Sequence, residues 1–317
     1  MSKAFVFPGQ GSQVVGMGKA LAEHFPPARS VFAEVDDALD QKLSTLMFEG
    51  PQDELTLTAN AQPALLAASL AAIRVLEAEA GLNLARDASF VAGHSLGEYS
   101  ALAAAGSLRI GEAAKLLRVR GRAMQAAVPV GSGAMAALLG IEYEVALTIA
   151  KQAAAETGRD AICEIANDNG GGQVVVSGTR EAVHRAIEIA KTHGARRSVL
   201  LPVSAPFHCA LMQPAAQAMA EALAPADLKP PCVPLIANVL AAPVSDPEEI
   251  RKLLVAQVTG AVRWRESIVF MASKGISIFV ECGAGKVLSG LIKRLACAAQ
   301  GISVGAPPDI DLYRALA

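Results

Sequence analysis

Ser95 sits in Gly93-His94-Ser95-Leu96-Gly97, a G-x-S-x-G pattern preceded by a short apolar run and followed by a helical one. In that setting the pattern describes a nucleophile elbow, because a glycine on each side permits a sharp strand-to-helix turn that lifts the hydroxyl out of a sheet. The serine then lies at a helix N-terminus, whose backbone N–H groups stabilise a developing oxyanion, and Leu96 is expected to donate one of them. The chemistry implied is nucleophilic acyl transfer. The alternative is an ordinary strand-to-helix turn, which a bare match of this kind also describes.

A serine nucleophile requires a base, and the chain offers His24, His94, His184, His193 and His208. His208 follows the proline-bounded segment Pro202-Val203-Ser204-Ala205-Pro206-Phe207, where the chain is expected to return to its main sheet, and it is the preferred general base. His94 immediately precedes the nucleophile, is poorly aimed to take its proton, and is assigned an orienting or packing role. The acids between Ser95 and His208, among them Asp160, Glu164, Asp168 and Glu181, mostly fall in a separate middle segment. The usual Ser, acid, His order is therefore not met, and a backbone carbonyl is the expected orienter of the imidazole. Cys209 beside His208 is read as core filler.

A third chemical signal is a misplaced charge. From Gly111 to Gln125 the spacing is helical, with Ala113, Leu116, Leu117 and Met124 on one face and Arg120 within that apolar stripe. Lys115, Arg118 and Arg122 lie opposite and read as solvated charges. A guanidinium on a buried face needs an anion or many acceptors, since it does not lose its proton. Two readings follow: an ion pair with a protein carboxylate, or a fork that grips a substrate carboxylate.

These residues must be held by a scaffold. Lys3–Phe7 and Ser89–Ala92 read as strands, and Pro63–Ala80, Glu98–Ala105 and 111–125 as helices, an alternation that predicts an α/β architecture with a mostly parallel sheet. The middle segment runs strand, helix, strand, strand, helix, strand over Ala134–Leu139, Tyr143–Glu156, Ile162–Ala166, Gln173–Ser177, Arg180–Thr192 and Arg197–Leu201, the order of a ferredoxin-like split motif. The stretch Asn167-Asp168-Asn169-Gly170-Gly171-Gly172 is expected to form its hairpin turn. A small domain at residues 128–198 is thus expected within a large one made of residues 1–127 and 199–317. Val233–Ala237 and Ile276–Val280 follow as strands, with helices at Asp246–Val258 and Lys286–Ala298.

Composition narrows the classes. The 317 residues are 52% hydrophobic and 18% charged, with a net charge of −2, which gives no footprint for nucleic acid. The longest apolar run, Ala64–Ile73, falls short of the roughly 20 residues of a membrane helix, so no membrane role is expected. The start carries no export signal pattern, and a cytoplasmic location is the expectation. The five cysteines are scattered and never form C-x-x-C, so neither a metal site nor a disulfide framework is expected.

Three motifs together carry a resemblance: Phe5-Val6-Phe7-Pro8-Gly9-Gln10-Gly11-Ser12-Gln13, Gly93-His94-Ser95-Leu96-Gly97-Glu98-Tyr99, and Gly283-Ala284-Gly285-Lys286-Val287-Leu288. Over nearly its full length the chain resembles the malonyl-CoA:acyl-carrier-protein transacylases of fatty-acid synthesis. The resemblance implies a hydrolase-like α/β domain with an inserted ferredoxin-like subdomain, no cofactor, malonyl-CoA as substrate, acyl carrier protein as partner, and a monomer. It assigns Ser95 as nucleophile, His208 as base and Arg120 as the malonyl-carboxylate ligand. It further assigns the backbone N–H groups of Gln10 and Leu96 as the oxyanion hole, and the Gln257 carbonyl as the orienter of His208. Asn167 is implied near the cleft, with Asn169 two residues away as a competing alignment. Phe207, beside the base, is expected to crowd the malonyl α-carbon and disfavour methylmalonyl. Rival readings are a serine esterase or thioesterase, which has no use for Arg120; a non-catalytic carrier-binding subunit; and the related acyltransferases of polyketide or malonate-decarboxylating systems.

Overall fold

The structure is a computed structural model that describes residues 2–315. Its strands, in chain order, are β1 (Lys3–Phe7), β2 (Phe90–Gly93), β3 (Gly133–Leu139), β4 (Cys163–Gly170), β5 (Gln173–Thr179), β6 (Arg197–Leu200), β7 (Leu235–Ala237), β8 (Ala242–Val244), β9 (Ile278–Cys282) and β10 (Gln300–Val304). Six of them form one sheet in the order β10-β9-β1-β2-β7-β8, parallel throughout except for the short edge hairpin β7–β8. The antiparallel edge strand β8 was not expected from the sequence, since its three residues Ala242-Pro243-Val244 are too few to show a period.

Side-chain alternation builds three layers around this sheet. Phe5 and Phe7 of β1 enter one core with the helices Pro26–Leu39, Thr58–Ala80, Ile110–Ala126, Gln213–Leu223 and Pro247–Thr259. Ala4 and Val6 point the other way, into a core closed by the helices Trp264–Ser273 and Val287–Leu295. The helix Thr58–Ala80 has a mean hydropathy of 1.3 in its most apolar window and is long enough to cross a bilayer, but 83% of that window is buried within the protein. It is a core helix, apolar on every side because it packs on every side. It also starts a turn and a half earlier than expected, with Pro63 inside. The extra turn lies against Gly121, where a methyl group would meet the backbone of Thr58 and Ala59.

The remaining four strands form an antiparallel sheet in the order β4-β5-β3-β6, the ferredoxin-like arrangement. The helices Tyr143–Thr157 and Arg180–Thr192 cover one face around Leu138, Ile149, Val176 and Ile189. The opposite face, with Met135, Ala137 and Val175, joins the main core, and β6 ends at Leu200, two residues past the expected return at residue 198. The stretch Asn167–Gly170 is not turn but strand: β4 runs through it to Gly170 with two register shifts, leaving only Gly171-Gly172 between β4 and β5. The reason is tertiary. The outer edge of β4 is paired by the main body, with Val262 N–H donating to Ala166 O (2.8 Å) and Asp168 N–H donating to Val262 O (2.9 Å). An Asp168–Arg265 ion pair at 2.8 Å reinforces that join.

Candidate active site

The chain leaves β2 at Gly93, turns through His94-Ser95-Leu96 and enters the helix Gly97–Ala104. Ser95 has φ 53°, a left-handed conformation rarely adopted by residues with a Cβ. Both flanking glycines are steric requirements, since a methyl on Gly93 would overlap the Gly97 carbonyl and one on Gly97 would overlap the Phe7 oxygen. Asn238 fixes the turn from β7: its Oδ1 accepts from Ser95 N–H (2.8 Å) and its Nδ2 donates to Gly93 O (2.7 Å).

Ser95 Oγ lies 2.7 Å from His208 Nε2. On the far side of the imidazole, Nδ1 lies 2.9 Å from the Gln257 carbonyl and 3.1 Å from that of Gly260, two acceptors that hold the proton on Nδ1 and leave Nε2 free to accept. His208 also has a left-handed backbone, at φ 58°. Burial, then the positive charge of Arg120, holds its imidazole neutral, with a pKa lowered to about 3. Among the described residues, the backbone N–H groups of Gln10 and Leu96 donate to no other protein group; both residues line the cavity over Ser95.

Arg120 is 1% exposed, on the apolar face of the helix Ile110–Ala126. Its Nη1 donates to Gln62 Oε1 (2.8 Å), and its Nη2 donates to Gln257 Oε1 (2.8 Å) and Ser95 Oγ (3.1 Å). Its Nε is buried without a partner, and no carboxylate forms a salt bridge with it among the described residues. Of the two readings of this residue, a direct ion pair with a protein carboxylate is not made among the described residues; the buried Glu98 acts on it only across the Gln257 amide. Arg118 departs from expectation: it is half-buried, and Nη1 donates to Asn60 Oδ1 (3.0 Å), because the early first turn of the neighbouring core helix reaches it.

A cavity of about 440 Å³ opens over these groups, lined by polar atoms of Gln10, Ser95, Arg120 and His208 and by apolar walls of Met124, Met135, Leu201 and Phe207. Asn167 and His94 line it too. Asn169, on β4 beside it, lies 2.9 Å through Oδ1 from His94 Nε2, and the His94 ring packs 5.5 Å from Trp264, so His94 ties the elbow to the small sheet and is turned away from the serine proton. Cys209 is buried, its thiol donating to Pro206 O. His24, His184 and His193 are exposed and away from the cavity.

Sequence reasoning missed Gln62, Asn238 and Glu98. Glu98 is fully buried behind Ser95, accepting from Asn238 N–H (2.6 Å) through Oε1 and from Gln257 Nε2 through Oε2. Burial pushes its carboxyl up to about 8, against the two N–H donors and Arg120. It had a signal in the sequence, as the one charge in the otherwise uncharged helix GEYSALAA. Gln62 and Asn238 had none, because their partners stand 58 and 143 residues away.

Known proteins resemble the chain over nearly its whole length. Residues 4–304 match the acyl transferase domain family. The chain is 47% identical over 313 residues to a malonyl CoA-acyl carrier protein transacylase of Bacillus subtilis, covering 98% of this chain and 96% of that one. The solved acyl-carrier-protein S-malonyltransferase of Bartonella henselae superposes with a TM-score of 0.96 at 56% identity, covering 100% and 99% of the two chains. A malonyl-transacylase solved in complex with a type II polyketide-synthase acyl carrier protein superposes with a TM-score of 0.95 at 40% identity, with full coverage of both chains. The chain belongs to the acyl transferase family, among the malonyl-CoA:acyl-carrier-protein transacylases.

Proposed function

We propose that this enzyme moves malonyl from CoA to the phosphopantetheine thiol of an acyl carrier protein in fatty-acid biosynthesis, by a ping-pong route through malonyl-Ser95. In the first half, His208 Nε2 takes the Ser95 proton as Oγ attacks the thioester carbonyl, and the N–H groups of Gln10 and Leu96 receive the oxyanion. The tetrahedral adduct collapses with loss of the CoA thiolate, which takes the proton from His208. In the second half the carrier thiol gives its proton to His208 and attacks the acyl-serine, and Ser95 leaves with that proton. No cofactor takes part; CoA is a leaving group.

The observation that carries this reading is Arg120. A buried guanidinium with neutral amide acceptors and, among the described residues, no carboxylate in direct contact lies against Ser95 Oγ, within reach of the free carboxylate of a malonyl group attached to that oxygen. Binding that carboxylate also offsets the positive charge that depresses His208, so the base strengthens when the correct substrate is present. Acetyl supplies neither effect.

The test is the ratio of specificity constants for malonyl-CoA and acetyl-CoA. In Arg120→Ala, malonyl transfer loses about 2–4 kcal/mol, roughly 30- to 1,000-fold, while acetyl transfer suffers far less. Equal losses for both would make Arg120 a structural residue and remove the carboxylate assignment. Methylmalonyl-CoA, measured alongside, should fall behind malonyl-CoA by roughly 10- to 200-fold as its extra methyl meets Phe207. Equal constants would take Phe207 out of that role.

A further inference from the structure

Gln257 stands at the centre of two separate alignments. Its main-chain carbonyl holds His208, while its side-chain amide touches three groups: Oε1 accepts from Arg120 Nη2 (2.8 Å), and Nε2 donates to Ser95 O (2.9 Å) and to Glu98 Oε2. An amide presents its oxygen on one side only, and which side is set by its partners. Arg120 requires the oxygen. Something must therefore hold the NH₂ group on the opposite side, and the side chain that does so is Glu98.

We propose that Glu98 is a positioning residue for malonyl selectivity: it locks the Gln257 amide so that its oxygen, and not its NH₂, faces Arg120. This deepens the proposed function and rests on the reading of Arg120 as the carboxylate ligand. Glu98 does not reach the substrate cavity; it is fully buried and acts through Gln257. Each of its oxygens accepts from an N–H donor, Asn238 N on one and Gln257 Nε2 on the other, and these two bonds favour the ionised, accepting form against the effect of burial. The Asn238 N–H belongs to the backbone and cannot turn, so residue 98 has no freedom to reverse its own polarity.

Glu98→Gln makes the consequence concrete. The new side chain must keep its oxygen on Asn238 N–H, which aims its NH₂ at Gln257 Nε2. Two donors then face each other. Relief comes only if the Gln257 amide rotates, which sets its NH₂ against the Arg120 guanidinium and its oxygen against Ser95 O. Arg120 loses one of its two amide acceptors and its alignment beside Ser95 Oγ. The main-chain carbonyl of Gln257 keeps its place on His208, so malonyl transfer is hit harder than acetyl transfer. A role in packing alone would lower both together.

The experiment measures the malonyl-to-acetyl ratio of specificity constants in wild type, Glu98→Gln, Arg120→Ala and Glu98→Gln/Arg120→Ala, with thermal melting of each. The expected result is a ratio lowered about tenfold or more in Glu98→Gln, and no further fall when the change is added to Arg120→Ala. Gln257→Leu, which removes the amide and keeps the backbone carbonyl, serves as the second variant and should lower the ratio likewise; an unchanged ratio there overturns the proposal even if Glu98→Gln fails to fold. If Arg120→Ala lowers the ratio and Glu98→Gln leaves it intact, the locking role is wrong and the carboxylate reading stands. If Arg120→Ala leaves the ratio intact, the carboxylate reading falls and the proposal with it.

Discussion

Two turns on the same edge of the main sheet have nearly the same architecture and opposite fates. β2 runs into Gly93-His94-Ser95-Leu96-Gly97 and a helix, and β9, parallel to it across β1, runs into Gly283-Ala284-Gly285-Lys286 and the helix Val287–Leu295. Both are strand, glycine turn and helix at the C-terminal end of a parallel strand, the place where open α/β sheets bind ligands. At β9 the helix N-terminus is already filled: the buried Glu281 carboxylate accepts from Leu288 N–H (3.0 Å) and Ser289 N–H (2.7 Å). β2 carries no acid at that position; the acid beside this turn, Glu98, sits in the helix itself and is turned inward to Asn238 and Gln257, while Ser95 and Leu96 line the cavity. The pattern alone does not make a site; a site needs a helix start whose donors are not spent on the protein's own carboxylate.

The sharpest way to break this comparison is to disarm the open turn. Ser95→Ala should stay folded and form no malonyl adduct by intact mass, with transfer reduced by about 10⁴-fold or more. A stable adduct on that variant would move the nucleophile elsewhere. His208→Ala should slow acylation by roughly 10²- to 10⁴-fold. Because the His208 pKa is lowered to about 3, the acylation rate of wild type should hold level as pH falls from 8 to 5; a decline centred near 6.5 would show an unperturbed base. The same shift sets the sign of a stability effect. Its folded pKa lies below the unfolded 6.5, so the unfolded chain binds the extra proton between those values and His208 lowers stability as pH falls from about 6.5 toward 3.

The two turns also differ in how far the sequence revealed them. At β2 the serine, the elbow and the misplaced Arg120 were readable, because each is a local departure from pattern: a motif, or a charge in an apolar stripe. The proposed oxyanion donor at Gln10 and the Gln257 carbonyl beside His208 came only through family resemblance, since a backbone atom leaves no mark in residue type. Asn167 and Asn169 were misread as turn because three following glycines outweighed a strand whose edge is completed by Val262, about 95 residues on. At β9 the glycines pointed to a turn without saying whether it was open or closed. That depended on Glu281, whose partners lie seven and eight residues ahead, across the turn.

The smallest effect on activity, and the most discriminating, is expected at the closed turn. Glu281→Ala removes a fully buried carboxylate and strands two backbone N–H groups, one on buried Leu288 and one on half-buried Ser289. Unpaired buried donors cost about 1–3 kcal/mol each at most, and the cavity adds to that, so a net loss of about 2–4 kcal/mol is reasonable. For a chain of this size that lowers the melting temperature by several degrees. Transfer below that temperature should change by less than about threefold, because neither Ser95 nor Arg120 bonds to anything in that turn. Differential scanning calorimetry and malonyl-CoA kinetics on the same preparation separate the two quantities. If the folded variant loses transfer as strongly as Arg120→Ala, the two turns are coupled, and the self-filled helix start at β9 shapes the site as well as the fold.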